Sequence, residues 1–191
     1  MIVWDISKAR QPRRLFSVRR PNVPGWHSAS FTWDGRVILM GWEPGGGSEP
    51  ECETDDPVGE HSVFFFRATD GRRLGRWVLP RTQSAEENCS IHNYNVMSVS
   101  GRYIGVAGNF QAGTSVFRFT DTRAAREIAY SDPPPLVPVQ TGGAWSSYWY
   151  NGYVYESDIT EGLNIYEFDR APSDVLVTLE HLNPQTQERS L

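Results

Sequence analysis

The chain contains little of what several classes of function require. Its 191 residues include only two cysteines, no Lys/Arg block beyond short arginine pairs, and a formal net charge of -5. Nucleic-acid binding depends on many clustered cations, because each neutralised phosphate releases a counterion. No apolar run approaches the roughly 18 residues of a membrane-spanning helix. We therefore expect neither a nucleic-acid partner nor a membrane span.

Catalytic signatures are also missing. The sequence has no G-x-S-x-G nucleophile motif, no phosphate-binding loop and no dinucleotide fingerprint. Its run of glycines, Gly45 to Gly47, lacks the lysine and the strand-to-helix context that a phosphate loop needs. We therefore expect a non-enzymatic protein without a cofactor.

Aromatic residues, in contrast, are abundant, and short apolar strands recur. Seven Trp, eight Tyr and nine Phe favour β-structure, where large flat side chains pack on pleated surfaces. Similar apolar phrases occupy residues 2–6, 65–68, 116–119 and 165–168. Hairpin signals precede the last three phrases, at Asp34-Gly35, Ser100-Gly101 and Asn151-Gly152. A phrase that recurs at such intervals indicates an array of small sheets.

Each repeat unit contains four predicted strands, which is typical of a β-propeller blade. The fold class is therefore predicted to be all-β, a partial propeller of about three and a half four-stranded antiparallel blades. The predicted segments are residues 1–20 (the end of one blade), 21–82, 83–132 and 133–182 (one blade each), and the tail 183–191.

The predicted blade count is too low for a closed ring, which needs four or more blades. Met1 falls inside the third strand of a blade. We therefore expect the chain to be a fragment or to start internally. We also expect missing blades or a second copy of the chain to cap the open ends.

One unit carries an insertion at residues 43–60, reading EPGGGSEPECETDDPVGE. Its Gly, Pro and carboxylates predict a loop. Oxygen-rich loops can bind Ca²⁺, but no calcium-loop register is present, so we expect a solvated acidic loop. The acidic residues considered are Glu49, Glu51, Glu53, Asp55, Asp56 and Glu60.

The two cysteines, Cys52 and Cys89, form either a disulfide or two unrelated buried thiols. Both lie in polar, loop-like sequence, and the chain otherwise avoids cysteine. We expect the disulfide, which would constrain the unfolded chain by about 3–4 kcal/mol. A disulfide would indicate an oxidising compartment.

These segments together resemble the LVIVD-repeat family of β-propeller proteins, especially its secreted actinobacterial members. The resemblance is carried by IVWDISKARQPRRL, EPGGGSEPEC, FFFRATDGRRLGRWVLP, ENCSIHNYNVM, GTSVFRFTD, EIAYSDP and WSSYWYNGYVYESDITEGLNIYEF. It implies a propeller fold and an extracellular location, but no particular chemistry. The VWD at Trp4-Asp5 also resembles WD40 repeats, although Gly-His and Trp-Asp do not recur at WD40 spacing.

Two histidines, His27 and His92, occupy equivalent places, eight and nine residues before their hairpin turns. The third unit has Gly143 or Ala144 at this place. Imidazoles converging on a propeller axis can bind a transition metal, but a metal site needs three or four ligands held by outer contacts. We therefore expect these rings to form hydrogen bonds between neighbouring blades, and no metal site.

An aromatic cluster follows at residues 145–155. Aromatic and polar residues alternate poorly here, so some rings must face outward or into the central channel. Such rings could stack on sugars or peptides, whereas the alternative is that the cluster fills the core between blades. Glu156 and Asp158 are two apart on a strand and therefore share a face. The candidate ligand-binding residues are His27, His92, Trp145, Tyr148, Trp149, Glu156 and Asp158.

The sequence therefore predicts a non-enzymatic extracellular propeller module for protein interaction or scaffolding, with an unidentified protein or small-molecule ligand. One alternative is a propeller hydrolase or metalloenzyme that uses His27, His92 and nearby acids at the central channel. A weaker alternative is carbohydrate binding by the exposed aromatics.

Overall fold

A computed structural model describes residues 1–168, 176–181 and 183. Over these residues the chain forms four antiparallel sheets of two to four strands, so the all-β prediction is confirmed. Each of the four apolar phrases overlaps an observed strand, and most of the predicted tail 183–191 lies outside the described residues. No helix within these residues is long and apolar enough to cross a membrane.

The four sheets follow one another along the chain, and we name them A to D. Sheet A pairs β1 (Ile2–Asp5) with β2 (Arg13–Ser17). Sheet B contains β3 (Ser28–Phe31), β4 (Val37–Gly41), β5 (Ser62–Arg67) and β6 (Arg73–Val78). Sheet C contains β7 (Asn93–Val96), β8 (Ile104–Gly108), β9 (Thr114–Arg118) and β10 (Arg126–Tyr130). Sheet D contains β11 (Ala144–Tyr150), β12 (Tyr153–Asp158) and β13 (Gly162–Glu167).

The predicted hairpin turns join the first two strands of sheets B, C and D. Gly35, Gly101 and Gly152 all have positive φ, as a tight hairpin requires. At the third turn Asn151 also has positive φ, the backbone pattern of a type I′ turn. These turns fix the register in which each first strand pairs with its second.

Three hydrophobic clusters separate the four sheets. Between A and B, Val3 and Phe16 pack on Phe64 and Phe66. Between C and D, Trp149 packs with Val106 and other buried residues. The cluster between B and C includes Trp77 stacked on Phe117 at 4.3 Å, and Phe65 stacked on Phe119 at 4.7 Å. The central strands β4 and β8 are buried along their whole length because both of their faces are covered.

The insertion forms the link between β4 and β5 and contains no strand. It begins with a 3₁₀ turn, Pro44–Gly47, and then crosses towards sheet C. The disulfide prediction is confirmed: Cys52 and Cys89 are bonded, with Cα atoms 5.6 Å apart. Contrary to the polar setting expected from sequence, both are buried in the core between sheets B and C. The insertion is therefore anchored to the fold rather than fully solvated.

Candidate metal centre

The two equivalent histidines meet at the boundary between sheets B and C. Each directly precedes the first strand of its sheet, and its backbone N–H donates to the end of the second strand: His27 to Gly41 and His92 to Gly108. Their rings stack with centroids 4.7 Å apart. The sequence equivalence thus places the two imidazoles side by side.

A third group, Glu43, completes the cluster and was not among the site residues predicted from sequence. Its Oε2 lies 3.2 Å from His27 Nε2 and its Oε1 lies 3.2 Å from His92 Nε2. The three ligand atoms, one from each residue, lie within 4.8 Å of one another. Glu43 follows the buried strand β4 and is the first residue of the insertion. Its position directly before Pro-Gly-Gly-Gly was the one sequence feature that could have identified it as a site residue.

Glu43 is held in place by its local backbone. Gly47 has a φ of 75°, and a Cβ there would overlap the Phe110 ring and lie 2.7 Å from Glu43 Oε1. The side-chain amide of Asn88 donates to the Gly47 carbonyl at 2.7 Å. The Glu43 side chain is only 10% exposed to solvent. Only a glycine fits where this turn passes the carboxylate.

The other ring nitrogen of each histidine has a defined hydrogen-bond partner. His92 Nδ1 lies 2.8 Å from the carbonyl oxygen of Trp145, and His27 Nδ1 lies 2.8 Å from Ser28 Oγ. The Ser28 hydroxyl lies 2.6 Å from the His92 carbonyl and 3.1 Å from Asn93 Oδ1, both of which are acceptors. The hydroxyl proton therefore goes to one of these oxygens, which leaves Ser28 Oγ to accept from His27.

The cluster is buried on one side and open on the other. The His92 side chain is 1% exposed and packs against Phe110 and Trp145, at centroid distances of 4.7 and 4.4 Å. The His27 side chain is 41% exposed. Burial lowers the pKa of His92, and the neighbouring His27 adds to this effect. Trp145, which packs on His92, is itself 48% exposed.

The remaining predicted site residues lie in sheet D. Trp149 is buried in the core between sheets C and D, and Tyr148 is half-buried. Glu156 and Asp158 share the buried face of β12, as expected. Glu156 accepts hydrogen bonds from Thr114, Asn164 and Tyr166. Asp158 accepts from the N–H groups of Thr160 and Glu161.

These contacts give both carboxylates structural partners within the fold. Of the predicted sheet D residues, Trp145 is the one found in ring contact with the histidine pair. The sequon at Asn88-Cys89-Ser90 is also internal: Asn88 is buried and donates to Gly47, and its Oδ1 accepts from Gln111. A glycan at Asn88 is incompatible with this packing.

Comparison with known proteins leaves the family open. No protein-family model matches the chain, and no curated protein matches it. Among solved structures, the crystal structure of the computationally designed Ika4 protein matches with a TM-score of 0.36 and 8% identity. That alignment covers 80% of this chain and 96% of Ika4.

Proposed function

We propose that the chain is a propeller-type module that binds a divalent transition-metal ion through His27, Glu43 and His92. The observation that carries the proposal is the arrangement of protons in the cluster. The amide nitrogen of Asn93 lies 3.1 Å from His92 Nδ1, but the nearer Trp145 carbonyl favours a proton on that nitrogen, and Ser28 Oγ favours one on His27 Nδ1. In these tautomers both neutral rings carry a lone pair at Nε2. These lone pairs point at carboxylate oxygens only 3.2 Å away.

Two nitrogen lone pairs that face a carboxylate repel it, which is unfavourable in a partly buried site. A cation bound between the two Nε2 atoms and the carboxylate oxygen turns this repulsion into attraction. Two protons, one on each ring, would also remove the repulsion. That solution stacks two imidazolium cations at 4.7 Å, and burial of His92 opposes its charged form. A metal ion places its positive charge between the ligands instead.

The spacing of the ligand atoms also suits a metal. Zinc–nitrogen and zinc–oxygen bonds of about 2.1 Å place tetrahedral ligands about 3.4 Å apart. The distances from His27 Nε2 to Glu43 Oε2 and from His92 Nε2 to Glu43 Oε1, both 3.2 Å, are close to that value, and the three ligand atoms lie within 4.8 Å of one another. Metal-binding histidines usually donate their second nitrogen to a backbone carbonyl or another acceptor, and both histidines have such an oxygen 2.8 Å from Nδ1.

The ligand chemistry indicates the class of ion. Two imidazoles and one carboxylate suit Zn²⁺, Cu²⁺, Ni²⁺ or Co²⁺ better than Ca²⁺ or Mg²⁺, which favour all-oxygen sites. Three protein ligands leave at least one position for water or an external ligand. Trp145, in ring contact with the ligand His92, is 48% exposed.

Metal titration of the whole chain tests the proposal. After chelator treatment, calorimetry with Zn²⁺ and absorbance with Co²⁺ should show one ion per chain. Glu43→Gln keeps the shape but removes the anionic ligand, and His27→Ala removes an exposed ligand with little loss of packing. Each should weaken binding by at least about 100-fold, since loss of outer contacts alone costs 10–100-fold.

Matched controls are Glu86→Gln and His181→Ala, which remove an exposed carboxylate and an exposed imidazole outside the cluster. Both should bind the ion as the wild type does. A stoichiometry well below one, or equal affinity in wild type and Glu43→Gln, would reject the metal site.

A second role, protein interaction or scaffolding in an extracellular LVIVD-type propeller, is favoured by a different observation. Sheets A and D each leave one apolar face exposed at the ends of the array. The disulfide between Cys52 and Cys89 supports an oxidising compartment. Turnover of a hydrolysable substrate by the metal-loaded protein, absent in Glu43→Gln, would favour the metalloenzyme alternative instead.

Carbohydrate binding remains a weaker candidate, supported by the exposed rings of Trp145 and Tyr153. Tryptophan fluorescence titrated with a panel of glycans tests it, with Trp145→Ala as the matched variant. No change in the wild-type signal would remove this candidate.

A further inference from the structure

The two ends of the array differ from its middle in how their faces are covered. Among the described residues, sheets B and C have an apolar cluster on each side, whereas sheet A contributes only to the cluster it shares with B. Sheet D packs mainly in the cluster it shares with C, and its Tyr150 also touches the cluster between B and C. Large apolar residues on the opposite faces of A and D are exposed. Large exposed apolar faces of this kind are typical of interaction sites.

The exposed face of sheet A, which we call the first terminal face, is apolar and basic. Along β1, Ile2 and Trp4 are 54% and 50% exposed, while Val3 between them packs inward. Arg14 pairs with Trp4 across the two strands and therefore lies on the same face. The further exposed residues around this face are Ile6, Lys8, Arg10 and Leu15.

The exposed face of sheet D, the last terminal face, is apolar and acidic. Leu163 and Ile165 on β13 are 65% and 55% exposed. Glu167 pairs with exposed Tyr153 across the strands and so lies on this face, and Glu161 is exposed in the turn before β13. Over residues 153–167 the sequence contains no Lys or Arg.

We infer that the first terminal face of one copy binds the last terminal face of a second copy. Each face offers a β-sheet surface with large apolar side chains and one charge set among them, Arg14 on one and Glu167 on the other. Opposite charges favour this pairing, and like charges disfavour contact of either face with its own kind. The inference is independent of metal binding and names a partner for the interaction role.

A contact between two different faces is heterologous. It leaves one free face on each end of a dimer, so association continues until a ring closes or a filament grows. The copies should therefore associate in a concentration-dependent manner beyond the dimer, unless two copies already close the ring.

Sedimentation velocity over a concentration series tests this, using the disulfide-intact full chain. Wild type should shift from monomer to larger species as concentration rises, and less so in high salt, which screens exposed charges. Arg14→Glu and Glu167→Arg should each weaken association roughly tenfold, because an attraction becomes a repulsion.

An equimolar mixture of the two single variants should associate again, since the altered face of each now complements the altered face of the other. The double variant Arg14→Glu/Glu167→Arg should also recover self-association. Val139→Glu, at an exposed apolar residue outside both faces, is the matched control and should associate like wild type.

A wild-type chain that stays monomeric at every concentration would overturn the inference. So would association that survives both single charge reversals, or a mixture that fails to recover while each variant keeps the wild-type circular dichroism spectrum. Sensitivity to Arg14→Glu alone would indicate contact between two first terminal faces and would also overturn it.

Discussion

Sheets B, C and D each join their second and third strands, but they do so by very different means. In sheets C and D the links are the short segments 109–113 and 159–161. In sheet B the link covers residues 42–61. Only this long link contributes both a carboxylate to the histidine pair and a cysteine to the core. The comparison teaches that the candidate chemistry arises where the repeat is interrupted.

The long link is ordered by anchors rather than by secondary structure. Its middle pairs with the segment before β7, where Cys89 and the backbone of Pro50 form a bridge. Cys89 N–H donates to the Glu49 carbonyl and Glu51 N–H donates to the Cys89 carbonyl. The short link 109–113 is also anchored, since Phe110 bridges to Ala144 and Gln111 bonds to Asn88, but it has far fewer residues to order. Four changes to the long link should sharpen this contrast.

Removing the disulfide should have the largest effect. Cys52 and Cys89 are separated by 37 positions, so the double variant Cys52→Ala/Cys89→Ala should lose about 3–4 kcal/mol of unfolding free energy. Urea denaturation measures this, with reduced wild type as the control that keeps both sulfur atoms. A loss below about 1 kcal/mol would mean that the other anchors hold the link alone.

Metal binding should stabilise wild type but not Glu43→Gln. At a free ion concentration of 100 times the Kd, a ligand specific for the folded state adds about 2.7 kcal/mol. Thermal unfolding with and without Zn²⁺ should therefore show a rise in Tm for wild type and for Glu86→Gln. The same rise in Glu43→Gln would place the ion elsewhere.

Alanine substitutions at two adjacent glycines distinguish the cost of backbone strain from the cost of side-chain crowding. Gly46 and Gly47 both have positive φ, so alanine at either position carries the conformational cost, roughly 1–2 kcal/mol. Only at Gly47 does the added Cβ meet Phe110 and Glu43. Gly47→Ala should therefore be about 1–2 kcal/mol less stable than Gly46→Ala and should also bind metal more weakly.

Equal free energies of unfolding for these two variants would show that the turn relaxes away from Glu43. Gly46→Ala with unchanged metal affinity is the control, since a Cβ at Gly46 has no neighbour within 4 Å.

The smallest effect concerns the pH dependence of stability at Glu51. Desolvation, with Glu60 as its nearest carboxyl partner, raises the pKa of Glu51 to about 7 from 4.5. The folded state therefore binds a proton more tightly than the unfolded state, and stability should fall as pH rises between about 4.5 and 7. Glu51→Gln should flatten this decline in urea denaturation curves, whereas Glu53→Gln should leave it unchanged.

Much of the fold could be predicted because its signals are local. The Asn-Gly, Asp-Gly and Ser-Gly turns, together with the aromatic strands, located thirteen strands closely. The cysteine pair was also predictable, since two cysteines allow one pairing. The equivalence of His27 and His92 followed from their spacing to the turns.

Glu43 was not predictable by the same reasoning. It is one of seven acidic residues between positions 43 and 60, and its sequence neighbourhood resembles the rest of a solvated loop. Its carboxylate reaches the histidines because Gly47 lets the turn pass beside Phe110, and Phe110 belongs to the link between β8 and β9 of the next sheet. No sequence period relates these positions.

The sequence by itself determined the strands, their turns and the order of the sheets, because these depend on residues a few positions apart. Only the tertiary structure decided that one insertion carboxylate joins two imidazoles from different sheets, and that two distant faces carry opposite charge. Those relations depend on how sheets pack on one another, and packing brings together residues whose separation in sequence carries no signal.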